Sequence, residues 1–207
     1  MSSRTRYRLS GGRSAARTCR CHVCRPDGRY DPVERRTLDT VRRHGWQVML
    51  VSGDGCCEAP EHWGEHGDGS GGPDFAYTVG LGHRCGHPEL VVSGLDPRSM
   101  YRVLQDVATR VAGGLRLRPG DMLEGLLADA PMAVASASSA CRSEVVSWSG
   151  WFHRRAPDAL VLVWPTAVGA FPWQPGAPAF LDERQPPAWR VCPAALTPPT
   201  TAGGPGG

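Results

Sequence analysis

The chain has 207 residues, 41% of them hydrophobic, with 26 glycines and 19 prolines, which suits one packed core with much irregular chain and is too short for two well-filled cores. All 23 basic side chains are arginine, and Lys, Asn and Ile are absent, which a GC-rich genome explains most simply and which excludes a lysine Schiff base, a phosphate loop of the usual lysine type and N-glycosylation. The net charge is only +3, no apolar run approaches the roughly 20 residues of a membrane span, and the first 25 residues lack the apolar middle of a secretory signal, so a cytoplasmic protein with reduced cysteines is expected.

Residues 1–30 read as a flexible arm, with seven arginines and no acid among the first 25 residues. Such an arm could hold a phosphate backbone, but no aromatic-interleaved nucleic-acid motif accompanies it, so a solvated arm is the plainer expectation. A single domain is expected over 31–193. Asp31, Pro32 and Glu34 supply an N-cap, a first-turn proline and a capping-box acid, Val33, Leu38 and Val41 make a sparse apolar stripe, and Gly45 ends the helix. Trp46–Val51 follows as a strand. Residues 52–74, with seven glycines and six acids, form a long loop.

Phe75–Leu81 and Glu89–Leu95 are strands, and the glycines and proline between them leave room only for a reverse turn. The best-defined helix starts at Asp96-Pro97 and repeats Met100, Val103, Leu104, Val107 and Val111 at helical spacing. Leu115–Leu117, Met122–Leu127 and Met132–Ala137 are short strand candidates, Cys141–Arg155 a helix, and Leu160–Trp164 a strand buried on both faces. Residues 194–207, all Thr, Pro, Ala, Leu and Gly, form a disordered tail. These elements point to an α+β fold, a mostly antiparallel sheet with two or three helices packed on one face.

Phe75-Ala76-Tyr77-Thr78-Val79-Gly80-Leu81, His87-Pro88-Glu89-Leu90-Val91-Val92 and Gly94-Leu95 form one distinctive block. Leu162-Val163-Trp164-Pro165, Gly169, Phe171-Pro172-Trp173 and Gln185-Pro186 form a second. Together with Gly45-Trp46, these blocks resemble the bacterial domain-of-unknown-function family 4262 over about residues 33–187. The resemblance implies a shared fold and no activity. The chain departs from the family pattern at Thr166, where an acid is expected after Trp-Pro, and in the length of the acidic loop.

Cys19, Cys21 and Cys24 are spaced to share one metal ion, with zinc the natural choice and a fourth ligand sought among Cys56, Cys57, His62 and His66. His87 and Glu89 lie two apart, so on an extended chain they share a face and could form a polar pair serving as base or ligand; a turn into a strand is the simpler role. His83 and Cys85 continue that spacing outside the family pattern. Tyr77 and Thr78 stand on opposite faces of one strand, and Trp164, Phe171 and Trp173 make an aromatic-proline edge able to hold a planar ligand or peptide, although close packing explains both groups.

The sequence carries no G-x-S-x-G elbow, H-E-x-x-H helix, phosphate loop or dinucleotide fingerprint. The first reading is therefore a module that binds a small molecule or a protein. The second is a metal-dependent or His/Glu-based enzyme with His87, Glu89 and Tyr77 as its catalytic candidates. A third is a flavin-binding split barrel, because Tyr-Thr-Val-Gly-Leu before a Pro-led apolar strand is similar to flavin reductases; it would need phosphate donors that the sequence does not identify.

Overall fold

Asp31 opens the first helix as its neighbours require. In the computed structural model, which describes residues 19–52, 74–128, 130–139, 142 and 146–185, helix α1 spans Pro32–His44. The Asp31 side chain accepts from the Glu34 amide at 2.8 Å, the Glu34 carboxylate accepts from the Asp31 amide at 2.8 Å, and Gly45 ends the helix in the left-handed region. Thr37, Leu38 and Val41 are buried, whereas Val33 is exposed and takes no part in the core.

Strands β1 (Gln47–Val51) and β2 (Phe75–Val79) pair antiparallel, and a short helix α2 (Leu81–Cys85) connects β2 to its other antiparallel neighbour β3 (Glu89–Ser93). Helix α3 (Pro97–Ala112), capped by Asp96, follows with the expected stripe inward, together with Ala108. Then come β4 (Met122–Leu123), β5 (Met132–Ser136), α4 (Ser147–His153), β6 (Ala159–Val163) and α5 (Phe180–Arg184). The sheet order is β1-β2-β3-β6-β5-β4, with the β3–β6 contact parallel and every other pairing antiparallel.

The α+β class and the mostly antiparallel sheet stand as expected, but helices cover both faces rather than one. Leu90, Val92, Leu160 and Leu162 face a cluster built on α3, while Val91, Val161 and Val163 face a second cluster holding Leu38 and Val41 of α1 and Phe152 of α4. The Trp148 indole of α4 donates to Thr37 of α1 at 3.0 Å, which binds the two helices together on that second face. The cause lies in β3 and β6. All five residues of each are buried, and such two-sided burial needs a layer above and a layer below.

Several local expectations change. Among the described residues, the stretch between β2 and β3 is a helical turn rather than a reverse turn, Leu115–Leu117 pairs with no strand and β4 has two residues. Of the helix expected over Cys141–Arg155, α4 covers Ser147–His153, and residues 141 and 143–145 lie outside the described residues. Among the described residues β1 and β4 stand at the edges of an open sheet, an architecture that the split-barrel reading does not match. Residues 53–73 of the loop expected over 52–74, and the tail expected over 194–207, lie outside the described residues. Among those described, no helix is long and apolar enough to cross a membrane.

Candidate metal centre

Gly80 (φ 111°) turns the chain out of β2 into α2, and Gly86 (φ 62°) stops it after a single turn, both in the left-handed region open to glycine. Helical residues two apart point about 200° away from each other, so His83 and Cys85 separate where an extended chain would align them. Cys85 packs against the α3 cluster. His83 turns toward the N-terminal segment and meets the edge of Phe152, ring centres 6.3 Å apart.

There the His83 Nδ1 lies 3.9 Å from the Cys19 Sγ, 3.4 Å from the Cys21 Sγ and 3.3 Å from the Cys24 Sγ. All four ligand atoms fall within 4.8 Å of one another. Tetrahedral zinc, with Zn–S near 2.3 Å and Zn–N near 2.0–2.1 Å, places sulfur and nitrogen ligands about 3.6 Å apart. The three observed separations straddle that value, so the Cys3His group has the donor set and spacing to hold one ion. Cys56, Cys57, His62 and His66, considered above for the fourth position, lie outside the described residues.

Burial pushes the Cys21 thiol up to about 12 and also raises that of Cys24. Burial, reinforced by His153 and Arg84, lowers the pKa of His83 and favours its neutral, ligating form. A divalent cation reverses the thiol preference through its own charge, stabilising the thiolates that burial alone disfavours.

The residues around these cysteines are docked, contrary to the expectation of a solvated arm as far as Tyr30. Cys21 is wholly buried, and the His22 amide donates to the Phe152 carbonyl at 3.1 Å. The His22 ring stacks on Trp151 at 4.7 Å, and Trp151 stacks on Trp148 at 4.8 Å. Arg154, which ends α4 with φ 58°, pairs with Asp27 at 2.6 Å. An aromatic stack and an ion pair thus hold the segment on α4 beside the cysteines.

His87 and Glu89 do not bond each other. The His87 Nδ1 donates to the Pro88 carbonyl at 2.7 Å, and its Nε2 accepts from the Leu117 amide at 3.2 Å, so the ring braces the chain after α3. Glu89, 1% exposed, accepts from the Thr78 hydroxyl (2.7 Å) and from the amides of Gly80 (3.0 Å), Leu81 (3.3 Å) and Gly82 (3.2 Å). Its imidazole partner is His153 of α4, whose Nε2 donates to it at 2.7 Å. Glu89 therefore ties β2, the start of α2 and α4 together, and α2 carries His83.

The other candidates separate between the faces. Tyr77 is buried in the α1/α4 cluster alongside Phe75, and Thr78 links Glu89 to the Leu90 amide. Trp164 lies in the α3 cluster with its indole donating to the Ser93 carbonyl at 2.8 Å. Phe171 and Trp173 stack on each other against the opposite cluster, so the three aromatics do not form one edge. Sequence reasoning missed His153, which stands 64 residues from Glu89 with no local signal, and gave His83 too little weight although the glycines on either side of Leu81–Cys85 bracket one helical turn.

An α+β fold with a six-stranded, mostly antiparallel sheet and a Cys3His group able to hold one ion defines the class of protein. Its family is shown by a sequence profile described as a domain of unknown function (DUF4262), which matches residues 40–178. The chain belongs to this family. His83, Glu89 and His153 fall within the matched residues, whereas Cys19, Cys21 and Cys24 precede them. No curated protein and no solved structure matches the chain.

Proposed function

We propose that this chain is a binding module whose N-terminal segment is clamped onto the family domain by one zinc ion held by Cys19, Cys21, Cys24 and His83. The observation that carries the reading is the approach of the His83 Nδ1 to all three sulfurs within 3.9 Å. Three thiolates and an imidazole complete a tetrahedron and leave no position for substrate, which favours a structural over a catalytic ion. When bound, the ion would supply a cross-link. The residues supply the rest, Glu89 positioning α2 and the His22–Trp151–Trp148 stack positioning the cysteines.

The test is the metal content of the full chain, purified reduced and without chelator. About one zinc per chain is expected, with loss of zinc in both Cys21→Ser and His83→Ala, since neither a hydroxyl nor a methyl replaces the lost ligand. Cobalt-substituted protein should show the intense visible bands of a tetrahedral thiolate site. Metal-free wild-type protein, or full zinc in His83→Ala, overturns the reading.

A further inference from the structure

Beside the cysteine cluster opens a cleft of about 650 Å³ whose wall includes Arg20, Arg154, Arg155 and His153. A second hollow of about 290 Å³ shares His153 and Arg155 with it and reaches Asp158. Among the described residues, the larger cleft is lined by three guanidiniums and no carboxylate. Arg154 is committed to Asp27, and Asp158 in the smaller hollow to Arg142 at 3.2 Å. Arg20 and Arg155 are both exposed and have no acid partner among the described residues.

The floor is built differently. His153 is 8% exposed, and Glu89 takes its Nε2 hydrogen at 2.7 Å, which sets the ring's orientation. Among the described residues the Nδ1 has no hydrogen-bond partner. Glu89 already accepts from four other donors, so its carboxylate is not available to neutralise the arginines. A divalent ion with three thiolates would add one net negative charge, fewer than the positive charges around the cleft.

We propose that this cleft binds a small oxyanion-bearing ligand, a phosphate or carboxylate group held between Arg20 and Arg155 over His153, with the rest of the ligand running toward the smaller hollow. Guanidinium matches both oxyanions through paired N–H donors, and a concave wall lets two of them converge on one ligand. The proposal rests on the metal-clamp reading only for Arg20, which lies between two ligands; Arg155 and His153 belong to the C-terminal end of α4 and the residues after it.

The test titrates the full, zinc-loaded chain with inorganic phosphate and, separately, with succinate, at constant ionic strength made up with chloride. The histidine ring signals are followed by NMR and zinc content is measured in parallel. A saturable shift of the His153 ring is expected with at least one probe, and the better probe identifies the oxyanion. Arg20→Ala and Arg155→Ala should each raise its Kd about tenfold while zinc content stays at the wild-type level. No saturable response to either probe, or an unchanged Kd in the double variant, overturns the proposal. Should the chain purify without zinc, the metal reading fails separately, and the Arg155→Ala comparison still decides the cleft.

Discussion

Replacing Glu89 by Gln tests the polar knot beneath the cleft. The carboxylate accepts five hydrogen bonds at 1% exposure, its Oε1 from Gly80, Gly82 and His153 and its Oε2 from Thr78 and Leu81. An amide accepts at one end only. With its nitrogen in the Oε1 place, the Gly80 and Gly82 amides both lose their acceptor. With its nitrogen in the Oε2 place, the Thr78 hydroxyl can rotate away and the Leu81 amide, already the longest contact, is orphaned. The second arrangement is the cheaper. It leaves one buried N–H unsatisfied, reverses the Thr78 bond so that its hydroxyl must find another acceptor, and weakens the His153 bond by removing charge. At about 1–3 kcal/mol for an unsatisfied buried group, a total loss of about 2–4 kcal/mol is expected. Urea titration in excess zinc, read by tryptophan fluorescence, measures it as a lower midpoint at constant slope. Because Gly80, Leu81 and Gly82 lead into the turn that carries His83, the variant should also surrender zinc to a chelator more readily. A loss below about 0.5 kcal/mol would refute the argument that this carboxylate organises the site.

Three further outcomes follow from the packing and the electrostatics. Leu104→Ala should cost about 2–5 kcal/mol by the same titration, because Leu104 is wholly buried beneath α3; a loss under about 0.5 kcal/mol would contradict that placement. Gly94→Ala should cost about 2–4 kcal/mol, since Gly94 has φ 73° and an added methyl would overlap the Arg184 carbonyl at the end of α5; near wild-type stability would mean that α5 does not pack there. Burial, helped by Arg116 and opposed by the Pro88 carbonyl and Glu89, lowers the pKa of His87 from its ordinary 6.5. The unfolded chain then binds more protons than the native one between the folded value and 6.5, so the contribution of His87 is complete above pH 6.5 and is lost as pH falls toward the folded value. His87→Gln should flatten the pH dependence of the urea midpoint below 6.5, and slopes equal to wild type would show that His87 does not titrate with folding.

Local chemistry alone determined the elements whose signals are short-range. Asp31 with Glu34, Asp96 before Pro97, and the α3 stripe specify their helices because capping bonds and helical periodicity act within a few residues. The family blocks were legible for a related reason, being continuous segments, and so was the metal-like spacing of Cys19, Cys21 and Cys24. Tertiary structure decided the rest. Whether helices cover one face or both depends on β3 and β6 pairing at the centre of the sheet, a contact across about 70 residues that no window contains. The partner of Glu89 became His153 rather than His87 because α4 folds back over the start of β3. The fourth ligand became His83 because Gly80 and Gly86 admit one helical turn, which sends His83 toward the cysteines and Cys85 away from them. A two-residue spacing carries no direction until the backbone between the residues is known to be strand or helix, and here the docked N-terminal segment, closing over 59 to 64 residues of chain, made that distinction matter.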